Sequence, residues 1–298
     1  MHEGGSAGRE FPLARAAPGG HDGDVSESFT LKLDGAELHG ERWPGAGPVL
    51  VLLHEGVSDL RGWRQTAEIL CASADVVAYD RRGYGRTDPS PAPFTHLDDL
   101  LAVLDQFTDG PAWLVGASAG GGLALDTALL APERVAGLIL IAPAVTGAPE
   151  PEIDPATQVL GDLLDAAIDA NDAAEINRLE TWIWLDGPAQ PEGRVGGPAR
   201  DLALDMNAII IGHGDPEDRG GSDTGAWDRL GEIRVPVTVA CGDLDVPFLV
   251  SRSRELAGRL PRGQHEVLPG LAHQPYLEQP ALVAELITEA MAAGRPPG

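Results

Sequence analysis

Only two cysteines, Cys71 and Cys241, occur in 298 residues, and each lies inside an apolar stretch. That spacing reads as two small buried hydrophobes in a reducing compartment, not as a disulfide framework. Lysine is scarcer still. Lys32 is the single one, so a lysine nucleophile has one candidate, placed in what reads as an edge strand. Basic charge is short in general, with 21 Lys and Arg against 46 Asp and Glu and a formal net charge of −25. Such a field repels phosphate backbones and anionic lipid, which argues against nucleic acid and bare membrane as partners. No apolar run approaches the ~18 residues of a membrane span, and no basic segment leads into an apolar one at the start of the chain, so a cytoplasmic protein is expected. Neither CxxC nor HExxH nor a P-loop occurs, and neither a metal nor an organic cofactor is expected. Oligomeric state is not legible.

A chain of this length with 43% hydrophobic residues can bury one large core. Residues 1–24, rich in Gly, Ala and charge and without periodicity, read as a flexible tail. Two alternating segments, 28–34 and 37–43, read as a hairpin turning at Asp34-Gly35. The apolar run 49–53 has the continuous character of a fully buried parallel strand. Helix-like and strand-like segments then alternate: helix 63–72, strand 76–79, helix 97–107, strand 112–115, helix 122–130 and strand 135–141. The alternation stops at Pro143. Residues 144–227 show only helical patches, at 159–170 and 173–184, broken by Pro and Gly, and read as a helical insertion. Strand 235–240, helix 248–260, strand 265–268 and helix 281–292 complete the chain. Alternation of this kind predicts a mostly parallel sheet of eight strands, covered by helices on both faces. It makes 25–143 and 228–298 one core. Ligands of such sheets bind beyond the carboxyl ends of the strands.

The residues capable of chemistry fall at those ends. Gly116-Ala117-Ser118-Ala119-Gly120 follows an apolar strand and opens a helix, the placement that lifts a serine hydroxyl out of a sharp turn. A serine is a poor nucleophile until a base takes its proton. Of eight histidines, only His273, in Pro269-Gly270-Leu271-Ala272-His273, occupies a loop after the last strand. The imidazole in turn needs a carboxylate to fix its tautomer. Cys241-Gly242-Asp243-Leu244-Asp245 offers two, and Asp245, deeper in the loop, is preferred over Asp243, which would shape the turn. Acyl transfer also needs backbone donors for the oxyanion: Ala119 N–H, just after the serine, and Gly56 N–H, with Val57 as the alternative. His54 is expected to be structural, and Glu55 a solvated loop charge.

With these residues assembled, the chain resembles the α/β-hydrolase superfamily from about Ser28 to the last helix. Asp80-Arg81-Arg82-Gly83-Tyr84-Gly85-Arg86-Thr87 resembles the family's D-x-R-G-x-G-x-S segment, with threonine for the final serine. Gly242-Asp243-Leu244-Asp245 resembles its G-x-x-D acid turn, which favours Asp245. Ala142-Pro143, followed by the insertion, resembles the point where the family inserts a helical cap. Where many members have His-Gly, this chain has His54-Glu55-Gly56. The resemblance implies an α/β-hydrolase fold with a cap over 144–227, the triad Ser118, Asp245 and His273, and no cofactor. A serine at the elbow implies esterases, lactonases and their kin over epoxide hydrolases and haloalkane dehalogenases, which use aspartate there. Hydrolysis of a small or medium, mostly apolar ester or lactone is therefore expected. A C–C hydrolase or perhydrolase with the same triad, or a ligand-binding protein on this fold, is the alternative. Trp182, Trp184 and Val57 are candidates for the pocket lining, and at most one of the two tryptophans should reach it, because they point to different helix faces.

Overall fold

The computed structural model describes residues 25–90, 93–214, 220–222 and 224–294; the tail expected at 1–24 lies outside them. Its strands are β1 (Glu27–Leu33), β2 (Ala36–Trp43), β3 (Val49–Leu53), β4 (Asp75–Tyr79), β5 (Ala112–Ala117), β6 (Val135–Ile141), β7 (Val237–Gly242) and β8 (Gly263–Leu268). They form one sheet in the order β1-β2-β4-β3-β5-β6-β7-β8. β2 runs antiparallel to β1 and β4, and the pairs from β4 to β8 are parallel.

The continuous apolar runs are explained by burial on both faces. In β3, Val51 and Leu53 enter one cluster with residues of α2 (His96–Phe107), α3 (Ala119–Leu130) and α8 (Pro247–Arg259), while Leu50 and Leu52 enter another with α1 (Arg64–Leu70) and α10 (Pro280–Gly294). Between β6 and β7 the chain leaves the sheet as α4 (Pro155–Asp169), α5 (Ala173–Thr181), one π turn (Trp182–Asp186) and α6 (Gly197–His213), returning through the short α7 (Ala226–Arg229). Leu160, Leu179 and Ile183 of this excursion share a third cluster with Val246 and Leu249 of the core. The short α9 (Pro275–Glu278) precedes α10.

Several element boundaries differ from expectation, two of them for plain local reasons. β7 starts at Val237 and not at 235, because Pro236 has no N–H for the ladder. Helix α3 starts at Ala119, three residues early, because Ser118 turns directly into it. The 17-residue α6 was not foreseen as one helix; Gly197 and Pro198 sit in its first turn, where a proline costs nothing, and Gly212 in its last. Cys71 and Cys241 are both free. Among the described residues no helix is long and apolar enough to cross a membrane.

The segment after β4 is anchored by a buried ion pair. Arg82 donates to both oxygens of Asp99, at 2.8 and 2.7 Å, with the side chains 4% and 2% exposed. Removing one member leaves the other charge buried and unpaired. Asp99→Ala is expected to lower the unfolding free energy by about 3–5 kcal/mol in urea titration; a loss below about 1 kcal/mol, the worth of a surface pair, would show that Arg82 finds water or another partner.

Candidate active site

Ser118, Ala119, Gly56, Val57, Asp245 and His273 each lie just beyond a strand's carboxyl end, whereas Trp182 and Trp184 lie in the π turn. Ser118 follows β5 with φ 46° and ψ −114°, a conformation that side chains other than glycine rarely adopt. Neighbouring backbone imposes it: Ser118 N–H donates to Ile141 O at 2.9 Å, and Ser118 O accepts from Ala144 and Gly122 N–H at 2.9 and 3.0 Å. Glycine is required on either side. A Cβ on Gly116 would stand 2.3 Å from Gly120 O, and one on Gly120 2.4 Å from Leu53 O. The turn thus packs against the end of β3, leaving Ser118 half-buried, and among the described residues its hydroxyl makes no hydrogen bond.

His273 and Asp245 meet across the β7 and β8 loops. Nδ1–H of His273 donates to Asp245 Oδ2 at 2.8 Å, and Asp245 Oδ1 accepts from Val246 N–H at 2.7 Å. Asp243 does something else: it is exposed, and its Oδ1 accepts from Gly270 N–H at 2.6 Å, tying the two loops together. Burial opposes charge on the His273 ring, but attraction and hydrogen bonding from Asp245, with Glu55 adding to them, outweigh it and hold the imidazole at about 9.

The loop after β3 is fixed from beneath. His54 Nε2 accepts from Arg81 N–H at 3.1 Å, so its proton sits on Nδ1, which donates to Glu55 O at 2.8 Å. The Arg81 guanidinium donates to His54 O and Glu55 O at 3.2 and 2.9 Å. Burial, and then Arg81, keep the His54 ring neutral. The D-x-R-G segment therefore props up the loop carrying Gly56, whose N–H, like that of Ala119 at the start of α3, is engaged in no loop or cap hydrogen bond among the described residues.

Glu55 corrects the sequence reading. It is no solvated charge: it is 1% exposed, because Gln274 Nε2 donates to its Oε1 and its Oε2 lies 3.4 Å from His273 Nε2, with Tyr276 beside it. Gln274 and Tyr276 were not foreseen at all. The one available signal was the acid interposed between His54 and Gly56.

The excursion reaches this cluster through its π turn. Trp184 lies 4.7 Å from the His273 ring, centroid to centroid, and its carbonyl accepts from His273 N–H at 3.2 Å. Trp182 is placed otherwise, its indole N–H donating to Gln190 O at 2.8 Å. Arg194 clamps turn and loop together, donating to Leu185 O, Asp186 O and Gly270 O and pairing with Glu278. Val57 lines a small hollow with Thr181, Ala203, Asn207 and Gln274. Among the described residues no group of three or more His, Cys, Asp or Glu is arranged to hold a metal ion.

Residues 38–286 match the α/β hydrolase family, and the chain belongs to it. Among curated proteins it is 33% identical over 184 residues to Lipase LipV of Mycobacterium tuberculosis (strain ATCC 25618 / H37Rv), a match covering 60% of this chain and 64% of LipV. Among solved structures it superposes on the carboxylesterase CesB (YbfK) from Bacillus subtilis with a TM-score of 0.70 at 22% identity, covering 92% of this chain and 94% of that one. It also superposes on Est816, described as an N-acyl homoserine lactone degrading enzyme, with a TM-score of 0.67 at 24% identity, covering 87% and 99%. At these identities the two structures speak to the fold, an eight-stranded mostly parallel α/β-hydrolase sheet flanked by helices.

Proposed function

We propose that this hydrolase is a serine hydrolase that cleaves a small or medium, mostly apolar ester or lactone through an acyl-enzyme. The observation that carries the reading is the pairing of a strained serine turn with a buried His–Asp couple: Ser118 at φ 46° after β5, and His273 bound to Asp245 at 2.8 Å beyond β7 and β8. In this reading His273 takes the Ser118 proton as Oγ attacks the acyl carbon. The carbonyl electrons move onto an oxygen held by the N–H groups of Gly56 and Ala119, and the leaving group departs with the proton from His273. Water repeats the sequence to release the acid. Residues 144–227 act as the cap, with Trp184 and Val57 lining the pocket and Trp182 packing within the cap. Trp184 and Val57 would present apolar surface to an uncharged acyl group, and the field of a chain at −25 disfavours polyanions. Two free cysteines accord with a cytoplasmic setting. LipV, named a lipase, supports the ester reading.

The test is covalent labelling with a fluorophosphonate, mapped by peptide mass spectrometry, followed by product analysis on a panel of p-nitrophenyl esters and lactones. A single adduct on Ser118, together with turnover of one of these classes, is expected. Folded protein that takes no label and turns over nothing on the panel would leave a ligand-binding protein on a hydrolase fold. Labelled protein that turns over only diketones would move the reaction to C–C cleavage.

A further inference from the structure

His273 Nε2, the atom that receives the Ser118 proton in the proposed reaction, faces a carboxylate. Glu55 Oε2 lies 3.4 Å from it, with the two side chains 3% and 1% exposed. A carboxylate buried for structural reasons alone is held by donors on both oxygens. Here Gln274 serves Oε1 and the Tyr276 hydroxyl lies beside the carboxylate, while Oε2 makes no hydrogen bond of good geometry and faces His273 Nε2 at 3.4 Å. An ionised acid at this place opposes the negative charge that develops on the substrate oxygen, so Glu55 does not serve by stabilising that oxygen.

We propose that Glu55 is a positioning residue that holds His273 as an imidazolium clasped between two carboxylates, and that Ser118 becomes reactive only when this pair has given up one proton. The inference rests on the serine-hydrolase reading above. In the resting pair Asp245 holds Nδ1–H and Glu55 faces Nε2–H. Once the Nε2 proton has left for solvent, the ring's lone pair is free to accept the Ser118 proton as Oγ bonds to the acyl carbon. Proton and charge balance: the pair carries one negative charge more after the loss, and the proton later taken from Ser118 leaves with the alcohol.

The groups around the imidazole bear this out in direction. Asp245 approaches from the loop after β7 with Cys241 against it, Glu55 comes from the loop after β3, and Tyr276 of α9 lies beside Glu55 with Asp59 behind it. Both carboxylates raise the ring. Burial pushes Glu55 itself up, with His273 and then Gln274 and Tyr276 pulling back. An opposite charge within about 4–6 Å moves a titration by about 1–3 units, and burial removes the salt screening that would shrink it.

The test uses the full chain and two readouts. Glu55→Gln keeps the shape, lets its carbonyl accept from Gln274 and removes the charge beside Nε2. In ester hydrolysis the acid limb of the kcat/KM profile is expected to move to lower pH by at least about one unit, with Glu55→Asp falling between this variant and the wild type. The second readout needs no turnover: NMR titration of isotopically labelled histidine in Ser118→Ala protein, with the His273 signal assigned by its loss in a His273→Gln variant. His273 is expected to titrate above pH 8 with Glu55 present, and at least about one unit lower in the Ser118→Ala, Glu55→Gln double variant. A wild-type His273 titrating below 7, or an unchanged value in the double variant, overturns the proposal. If Glu55→Gln fails to fold, the wild-type titration and Glu55→Asp still decide. An NMR shift as expected in protein that never labels with fluorophosphonate would sink the hydrolase reading and leave the clasp standing.

Discussion

Ser118→Ala is expected to lower kcat on the best ester or lactone by about 10⁵- to 10⁶-fold while leaving urea unfolding within about 1 kcal/mol of wild type. In the proposed mechanism the kinetic loss follows because Ser118 carries the acyl group, and without it only the binding and polarising groups remain. The small stability change follows because the strain lies in the backbone. Alanine meets the same φ of 46° that serine does, and Ala142 nearby already occupies φ 42°. In the proposed mechanism the three groups act as a unit, so adding His273→Ala to Ser118→Ala should cost almost nothing more. Multiplicative losses in the double variant would instead mean that His273 serves a reaction that does not pass through Ser118. Stopped-flow or steady-state rates on the four proteins decide the matter.

Much of this architecture was legible because its signals are local. Buried parallel strands announce themselves as apolar runs, and Ser118, Asp245 and His273 each lie a few residues beyond one. A rule about strand ends therefore found residues that are far apart in the chain. Glu55 was misread because what buries it is not local. Gln274 stands 219 residues away and folds over Glu55 only when the loops after β3 and β8 meet. An acid in a loop looks solvated until that closure is known. The same reason hid Arg194, whose partners Leu185, Gly270 and Glu278 come from two sides of the site. Helix α6 was missed for an opposite reason. Pro and Gly across 144–227 read as breaks in the helical pattern, whereas Pro198 sits in the first turn of α6, where it is a start signal, and Gly212 in the last.

The second large effect separates two neighbouring acids. Asp245→Asn is expected to lower kcat by about 10⁴-fold, the cost of the wrong histidine tautomer, whereas Asp243→Asn should change it less than about threefold. The geometry fixes which way the new amide points. In the native protein Asp245 Oδ1 accepts Val246 N–H at 2.7 Å, so the carbonyl of the introduced amide stays there and its NH₂ faces His273 Nδ1. Nδ1 must then accept, which puts the ring proton on Nε2, where the Glu55 carboxylate waits 3.4 Å away to stabilise it. Ser118 is left without an acceptor. The amide introduced by Asp243→Asn, by contrast, can keep an oxygen toward Gly270 N–H and so keep the tie between the loops. Glu55→Gln in the Asp245→Asn background then has a defined sign: with the Nε2 proton no longer held by a charge, part of the lost rate should return. Rates of the two single variants and this double variant, measured across pH, test the tautomer argument directly. An Asp243→Asn loss as large as that of Asp245→Asn would show that the loop tie, and not the tautomer, governs the chemistry.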